Sequence, residues 1–277
     1  MTPTWKGRPD PVFPPLTPGE TLRAVLRLTA IAGIVAATAA VFGPVRIVER
    51  MMLGGRRWTP SIASAAFAAV LGVLGIRRVA EGSPDGDVLV ANHSSWLDIA
   101  ALYAGGPLVF LSKAEVAGWP VIGPMTRLCG TIYIDRKRSD AAVHAATLAN
   151  ALSEGIRLAF FPEGTSSDGQ RVLPFRTTLF AAFTGERPGR VTIQPVGLSY
   201  TAPDGRPPEF HAWWGGTPFA PHAMRVLGAP SGGAVTVRYG APVAAGRDRK
   251  ALARELETRV RALAEGGVSR ASPTEAS

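Results

Sequence analysis

Val88-Leu89-Val90-Ala91-Asn92-His93-Ser94-Ser95-Trp96-Leu97-Asp98 passes from an apolar run into polar residues, and then into Ile99-Ala100-Ala101-Leu102-Tyr103. Four apolar residues without alternation read as a strand buried on both faces, the habit of a parallel sheet covered by helices. The apolar residues after Asp98 read as a helix start. His93 therefore sits where a strand ends and Asp98 where a helix begins. The five-residue separation lets the carboxylate fold back onto the imidazole. A carboxylate on Nδ1–H fixes the tautomer and leaves Nε2 free to take a proton, which is the wiring of a general base. The same residues also suit an ordinary strand–helix turn with Asp98 or Ser95 as N-cap.

The pattern repeats outward from this stretch. Strand-like Leu108–Leu111, Thr131–Ile134, Leu158–Phe161 and Val191–Ser199 alternate with helix-like Leu97–Ala104, Ser139 to about Ser153, and Thr177–Phe183. Glu115–Leu128 carries two Pro breaks. Strands and helices alternating at this spacing predict an α/β fold, a largely parallel sheet covered by helices on both faces. Val235-Thr236-Val237-Arg238-Tyr239 alternates apolar and polar residues and reads as a half-exposed edge strand. Leu252, Leu256, Val260 and Leu263 form the apolar stripe of a last helix. The tail after Gly266 is polar and expected to be disordered.

A second chemical stretch follows the run Ile156–Pro162: Glu163-Gly164-Thr165-Ser166-Ser167-Asp168-Gly169. A Gly-bearing turn at a strand's end exposes backbone N–H groups at the carboxyl edge of the sheet, where open α/β folds place ligands. Asn-His-x4-Asp with Phe-Pro-Glu-Gly-Thr about 70 residues on resembles the glycerolipid acyltransferase family, best known as 1-acylglycerol-3-phosphate acyltransferases. Gly130-Thr131-Ile132-Tyr133-Ile134-Asp135-Arg136 looks like that family's arginine-bearing block. Ile193-Gln194-Pro195-Val196-Gly197-Leu198-Ser199-Tyr200 looks like its proline-bearing block. The four blocks stand in the family's order across roughly residues 85 to 245.

The resemblance implies transfer of an acyl group from a thioester to a lipid hydroxyl, with His93 as general base and Asp98 holding the ring. Glu163 and Gly164 would belong to the acceptor-binding block. The turn Glu163-Gly164-Thr165 is the candidate oxyanion site, because Gly164 permits close backbone approach. Arg136, at the end of an apolar strand, offers a fork of donors for phosphate or carboxylate. Lys113 ends another strand and could reach the same edge. The family's common form is Phe-Pro-Glu-Gly-Thr-Arg, and Ser166 stands where that Arg belongs. Arg171 or Arg176 in the adjoining loop are the replacements on offer. Together with His211-Ala212-Trp213-Trp214-Gly215 and Pro221-His222, this variant looks like the subgroup acting on lyso-ornithine lipid. Trp213 and Trp214 suit core packing equally well.

Composition narrows the setting. The chain has 277 residues, 46% of them apolar, and a net charge of +9. Residues 1–80 hold ten Lys/Arg against three acids, so +7 of that charge lies in the first third. These cations flank apolar runs and are not interleaved with aromatics on a polar face. That favours an anionic membrane surface over nucleic acid. Leu28–Val45 and Trp58–Ile76 are uncharged, bounded by Arg27, Arg46, Arg57 and Arg77, and barely long enough to cross a bilayer. The expected element is a two-helix membrane hairpin, broken at Pro44 and Gly54-Gly55, dipping into or lying along one leaflet. Two buried globular helices are the alternative. Cys129, the single cysteine, reads as a small buried hydrophobe in a helix-like segment, consistent with a reducing compartment. The scattered histidines give no metal-ligand spacing.

The expected organisation is residues 1–80 as arm and membrane element, 81–266 as the α/β acyltransferase domain, and 267–277 as tail. The expected activity is lysolipid O-acylation at the cytoplasmic face of the inner membrane. Acyl carrier protein or coenzyme A thioester would be the co-substrate, with no other cofactor and no metal. The acceptor is lyso-ornithine lipid or 1-acyl-sn-glycerol-3-phosphate. A lipid hydrolase or thioesterase, and a non-catalytic membrane-binding protein, are the competing classes. No Gly-x-Ser-x-Gly elbow is present to support the first of these.

Overall fold

The structure, a computed structural model, describes residues 5–53, 58–113, 117–118, 126, 129–134, 151–152, 154–184, 191–246 and 248–266. Its strands are β1 (Arg77–Glu81), β2 (Val88–Ala91), β3 (Leu108–Lys113), β4 (Ile132–Ile134), β5 (Arg157–Phe160), β6 (Thr192–Thr201), β7 (Ala234–Tyr239) and β8 (Val243–Ala244). Its helices are α1 (Pro18–Val48), α2 (Thr59–Leu74), α3 (Leu97–Tyr103), α4 (Phe219–Gly228) and α5 (Arg249–Glu265). The strands form one sheet in the order β1-β7-β6-β2-β5-β3-β4, with β8 paired to β6. Strands β2 to β6 are parallel, while β7 and β8 run antiparallel to β6 and β1 is parallel to β7.

The four residues of β2 are all buried, and alternation splits them between two cores. Leu89 and Ala91 join the cluster containing Leu71, Leu102, Tyr103, Leu198 and Val235. Val88 and Val90 join the one containing Leu158, Phe160, Ile193, Leu256 and Val260. Pairing with β5 on one side and β6 on the other leaves neither edge of β2 to solvent. His93 therefore leaves the centre of the sheet at its carboxyl end.

Several expectations are corrected. Arg77 and Arg78 are not merely the basic flank of an apolar run. They begin β1, which pairs with β7 across the expected boundary at residue 80. An edge strand with charged side chains looks like a loop to a hydrophobicity pattern. Accordingly β7 is interior, held by β1 and β6, and its alternation reflects one less thoroughly covered face. Helix α4 was not foreseen, and Thr177–Phe183 contracts to a 3₁₀ turn at Leu179–Ala182. Cys129 lies in a turn before β4 rather than in a helix, and burial pushes its thiol up to about 11. Gly54-Gly55, Arg136, most of Glu115–Leu128, nearly all of Ser139–Ser153 and the tail fall outside the described residues, as does the side chain of Lys113.

Helix α1 starts ten residues before the uncharged run, at a capping box in which Thr17 and Glu20 satisfy each other's backbone N–H. Pro44 lies inside α1 and does not end it; the helix passes into a π turn at Glu49–Leu53. The buried Glu49 carboxylate accepts from the N–H groups of Trp58 and Thr59 and from the Thr59 hydroxyl, capping α2 from outside. Helices α1 and α2 pack on each other. The first turns of α1 hold α4, because Arg23 donates to Gly228 O (2.7 Å) and Arg27 to Leu227 O (3.0 Å) and Ala229 O (2.7 Å). Those are carbonyls a helix end leaves unpaired. Farther along, Leu28, Val35, Val41, Ile47, Met51 and Met52 are exposed. Pro18–Met52 is long and apolar enough to cross a membrane, and its apolar stretch is unburied, so the chain carries a membrane-association element.

Candidate active site

The loop between β2 and α3 closes on itself through Asp98. Its Oδ2 accepts from His93 Nδ1–H (2.8 Å), Ser94 N–H (2.7 Å) and Ser95 N–H (2.9 Å). Its Oδ1 accepts from the Tyr200 hydroxyl on β6 (2.7 Å). Asp98 is fully buried, so a carboxylate there depends on these donors. They hold it as an acceptor, which keeps the proton on Nδ1 and leaves the Nε2 lone pair of the partly exposed His93 for substrate. The imidazole lies flat on Phe161, centroids 4.1 Å apart at 10°, so its plane is set by packing as well.

The second expected stretch is brought against the first. His93 N–H donates to Glu163 Oε1 (2.8 Å), and Leu173 N–H donates to Oε2 (3.1 Å). Ser167 N–H donates to His93 O (3.0 Å), and Trp213 N–H to Ser94 O (2.8 Å). Glu163, 2% exposed, is thus a buried brace under the His93 backbone rather than a carboxylate turned toward the acceptor. Burial pushes its carboxyl up to about 8; the two backbone donors oppose that and recover only part of it. The folded state therefore holds a proton there that the unfolded chain releases above about 4.5. Stability conferred by the protonated form is complete below 4.5 and is lost as pH rises to 8. Thermal unfolding across that window is expected to show a falling midpoint in the wild type. Glu163→Gln is expected to have a flatter profile from a lower starting point, since its amide presents N–H to one of two backbone N–H groups.

Gly164 has φ +71°, the left-handed region that glycine enters without strain. Its N–H closes the turn onto Phe161 O at 3.2 Å and is committed there. Thr165 follows in the same turn. Ser166 departs from a substrate-facing role: it is 3% exposed, and its hydroxyl donates to Trp213 O at 2.5 Å. Of the two replacement arginines, Arg171 is occupied. It grips buried Asp168 through Nε–Oδ1 (3.2 Å) and Nη2–Oδ2 (3.0 Å), and its guanidinium sits 5.4 Å from the Trp5 ring. Arg176 is exposed and lies over the glycine turn, its Nε 3.2 Å from where a Cβ on Gly164 would be. Arg136 and the Lys113 side chain are outside the described residues.

Residues 5–13 strap across these loops. Trp214 Nε1–H donates to Pro9 O (3.3 Å), Gly216 N–H to Asp10 Oδ1 (2.8 Å), and Arg8 pairs with Glu209 (3.0 Å). Trp213 and Trp214 are buried. His211 and His222 are also buried, and burial takes both imidazoles down to about 4, so they are neutral in neutral solution. Sequence reading missed Tyr200 as a site residue. Its only local signal was its place at the end of the proline-bearing block.

His93 at the carboxyl edge of a parallel sheet, steadied by buried Asp98, has the wiring of a general base. Ser94 and Ser95 are buried, and Ser166 and Ser167 bond to main-chain carbonyls, so no serine among them opens onto Nε2. An acyltransferase family model matches residues 77–199. A lyso-ornithine lipid O-acyltransferase of Rhodobacter capsulatus is 42% identical, over 94% of this chain and 96% of that protein. One of Brucella abortus is 40% identical, over 76% and 83%. A 1-acyl-sn-glycerol-3-phosphate acyltransferase of Neisseria gonorrhoeae is 34% identical, over 50% and 61%. The crystal structure of the 1-acyl-sn-glycerophosphate acyltransferase of Thermotoga maritima has the same fold, with a TM-score of 0.60 at 19% identity, over 92% of this chain and all of that one. The chain belongs to the acyltransferase family, and it is an acyltransferase.

Proposed function

We propose that this protein moves a fatty acyl group from an acyl carrier protein or coenzyme A thioester to the hydroxyl of lyso-ornithine lipid, at the cytoplasmic face of the membrane. The observation that carries the reaction is the His93–Asp98 pair, with an Nε2 at the sheet edge that has no partner among the described residues. His93 Nε2 takes the hydroxyl proton as the oxygen attacks the thioester carbonyl. The tetrahedral intermediate then collapses, the C–S bond breaks, and the imidazolium returns its proton to the departing thiolate. No covalent acyl-enzyme forms. With the Gly164 N–H committed to Phe161 O, Thr165 is the candidate in this turn for meeting the oxyanion, with Lys113 and Arg136 as further candidates for substrate contact.

Two observations favour lyso-ornithine lipid over 1-acyl-sn-glycerol-3-phosphate. The relatives bearing the lyso-ornithine name match over most of this chain, whereas the glycerophosphate enzyme of Neisseria gonorrhoeae matches over half. With Ser166 buried and Arg171 paired, Arg176 is the guanidinium left open beside the turn among the described residues. The Arg176 fork suits the carboxylate of an amino-acid head group, while the Arg that the resembling phosphate-binding members carry in this block is replaced by Ser166. Arg176→Ala is expected to raise KM for lyso-ornithine lipid about tenfold with little change in kcat, the loss of one charge-assisted contact.

The test supplies purified protein in detergent with labelled acyl carrier protein or coenzyme A thioester and each lysolipid. Transfer to lyso-ornithine lipid at a higher kcat/KM than to 1-acyl-sn-glycerol-3-phosphate is expected. The opposite ranking overturns the acceptor, and transfer to neither overturns the reaction.

A further inference from the structure

We propose that Tyr200 is a positioning residue for acyl transfer, acting through Asp98 to hold the His93 imidazole in its reactive orientation. The inference rests on the acyl-transfer reading above but not on which lysolipid is the acceptor.

The division of labour at Asp98 is uneven. Oδ2 takes three donors, all from the His93–Ser95 turn, within 2.7–2.9 Å. Oδ1 takes one, the Tyr200 hydroxyl, which comes from β6 and so from outside that turn. Three contacts on one oxygen leave the carboxylate free to pivot about it; the fourth, on the other oxygen, stops the pivot. Tyr200 is itself fixed. Its strand is paired with β7 through Tyr200↔Val235, and its ring stacks on His211 at 5.0 Å. His211 donates in turn to Gly232 O (2.9 Å). A chain of contacts thus runs from the antiparallel end of the sheet to the imidazole.

The phenol also shapes the charge. Burial and the Asp98 charge hold Tyr200 well above its ordinary range, so it stays a donor throughout the working pH. A phenol donor draws carboxylate charge toward Oδ1 and away from the edge facing the imidazole. The titratable groups facing Asp98 are His93 in its own loop, Glu163 on the adjoining turn, Tyr200 on β6 and His211 from the loop before α4. Tyr200 is the one of these that contacts Oδ1.

The experiment compares wild type and Tyr200→Phe, which removes one oxygen and keeps the ring. Expected for Y200F is a fall in kcat of about tenfold with KM within twofold, the pattern of a lost contact that matters in the transition state. The acid limb of its pH–rate profile is expected to move to higher pH, because undivided carboxylate charge holds the imidazolium proton more firmly. Circular dichroism and thermal unfolding establish that the variant is folded. If it does not fold, difluorotyrosine at position 200 gives the complementary reading: a more acidic phenol donates more strongly, and the limb moves to lower pH. A wild-type kcat and an unmoved limb in the folded variant overturn the proposal. Inactive wild-type protein would instead overturn the acyl-transfer reading itself.

Discussion

His93→Ala is expected to lower kcat for acyl transfer by about 10³- to 10⁴-fold while leaving the protein folded. That is about 4–5 kcal/mol of barrier, the share a positioned general base supplies when an alcohol must lose its proton as it attacks. The fold should survive because the ring contributes little to either core. It is partly exposed, packs one face on Phe161, and leaves Asp98 with three of its four donors. The backbone N–H of residue 93 still reaches Glu163 in the variant. Initial rates with labelled acyl thioester, beside thermal unfolding of the same preparation, check both halves. A variant that acylates lysolipid at the wild-type rate removes the imidazole from the chemistry.

Asp98→Ala is expected to be both inactive and unstable, and so separates it from the histidine variant. Deleting this carboxylate strands two backbone N–H groups, one phenol and one imidazole N–H in a fully buried site. Breaking such a network costs about 3–5 kcal/mol. For a chain of this size that corresponds to a drop in unfolding temperature of roughly 10 °C. Asp98→Asn keeps the shape and one acceptor oxygen, which can face the turn while its amide faces Tyr200. It is expected to lose about 1–3 kcal/mol of stability and still about 10³-fold in kcat, because the charge opposite the imidazolium is gone. The ordering that checks this is Ala below Asn below wild type in unfolding temperature, with both variants nearly inactive. An Asp98→Ala protein as stable as wild type would mean that water or another group satisfies those donors.

What the sequence made legible divides along a physical line. The central strands were readable because burial on both faces excludes polar residues, and Val88–Ala91 and Leu158–Phe160 are of that kind. The His93–Asp98 contact was readable because it is local, closing within a single turn. Features that depend on distant partners were not. Arg77–Glu81 becomes a strand only because Ala234–Arg238 lies beside it. Glu163 was read as meeting the acceptor, but its two partners are main-chain N–H groups, which carry no side-chain signature. Ser166 marks a departure from the family pattern in sequence. What fills the gap is visible only once its hydroxyl meets Trp213, a residue 47 positions away. Tyr200 reaches Asp98 across 102 positions, and no periodicity encodes that distance.

The clamp between α1 and the end of α4 has a consequence for biogenesis. Arg23 and Gly228 are separated by 205 residues, as are Pro9 and Trp214. At an elongation rate of about 5–20 residues per second, roughly 10–40 s pass between translation of each partner. The apolar helix is therefore translated long before its docking carbonyls exist. During that interval Arg23 and Arg27 lack the carbonyls they hold in the finished fold, so the segment is complete well before the clamp that secures it.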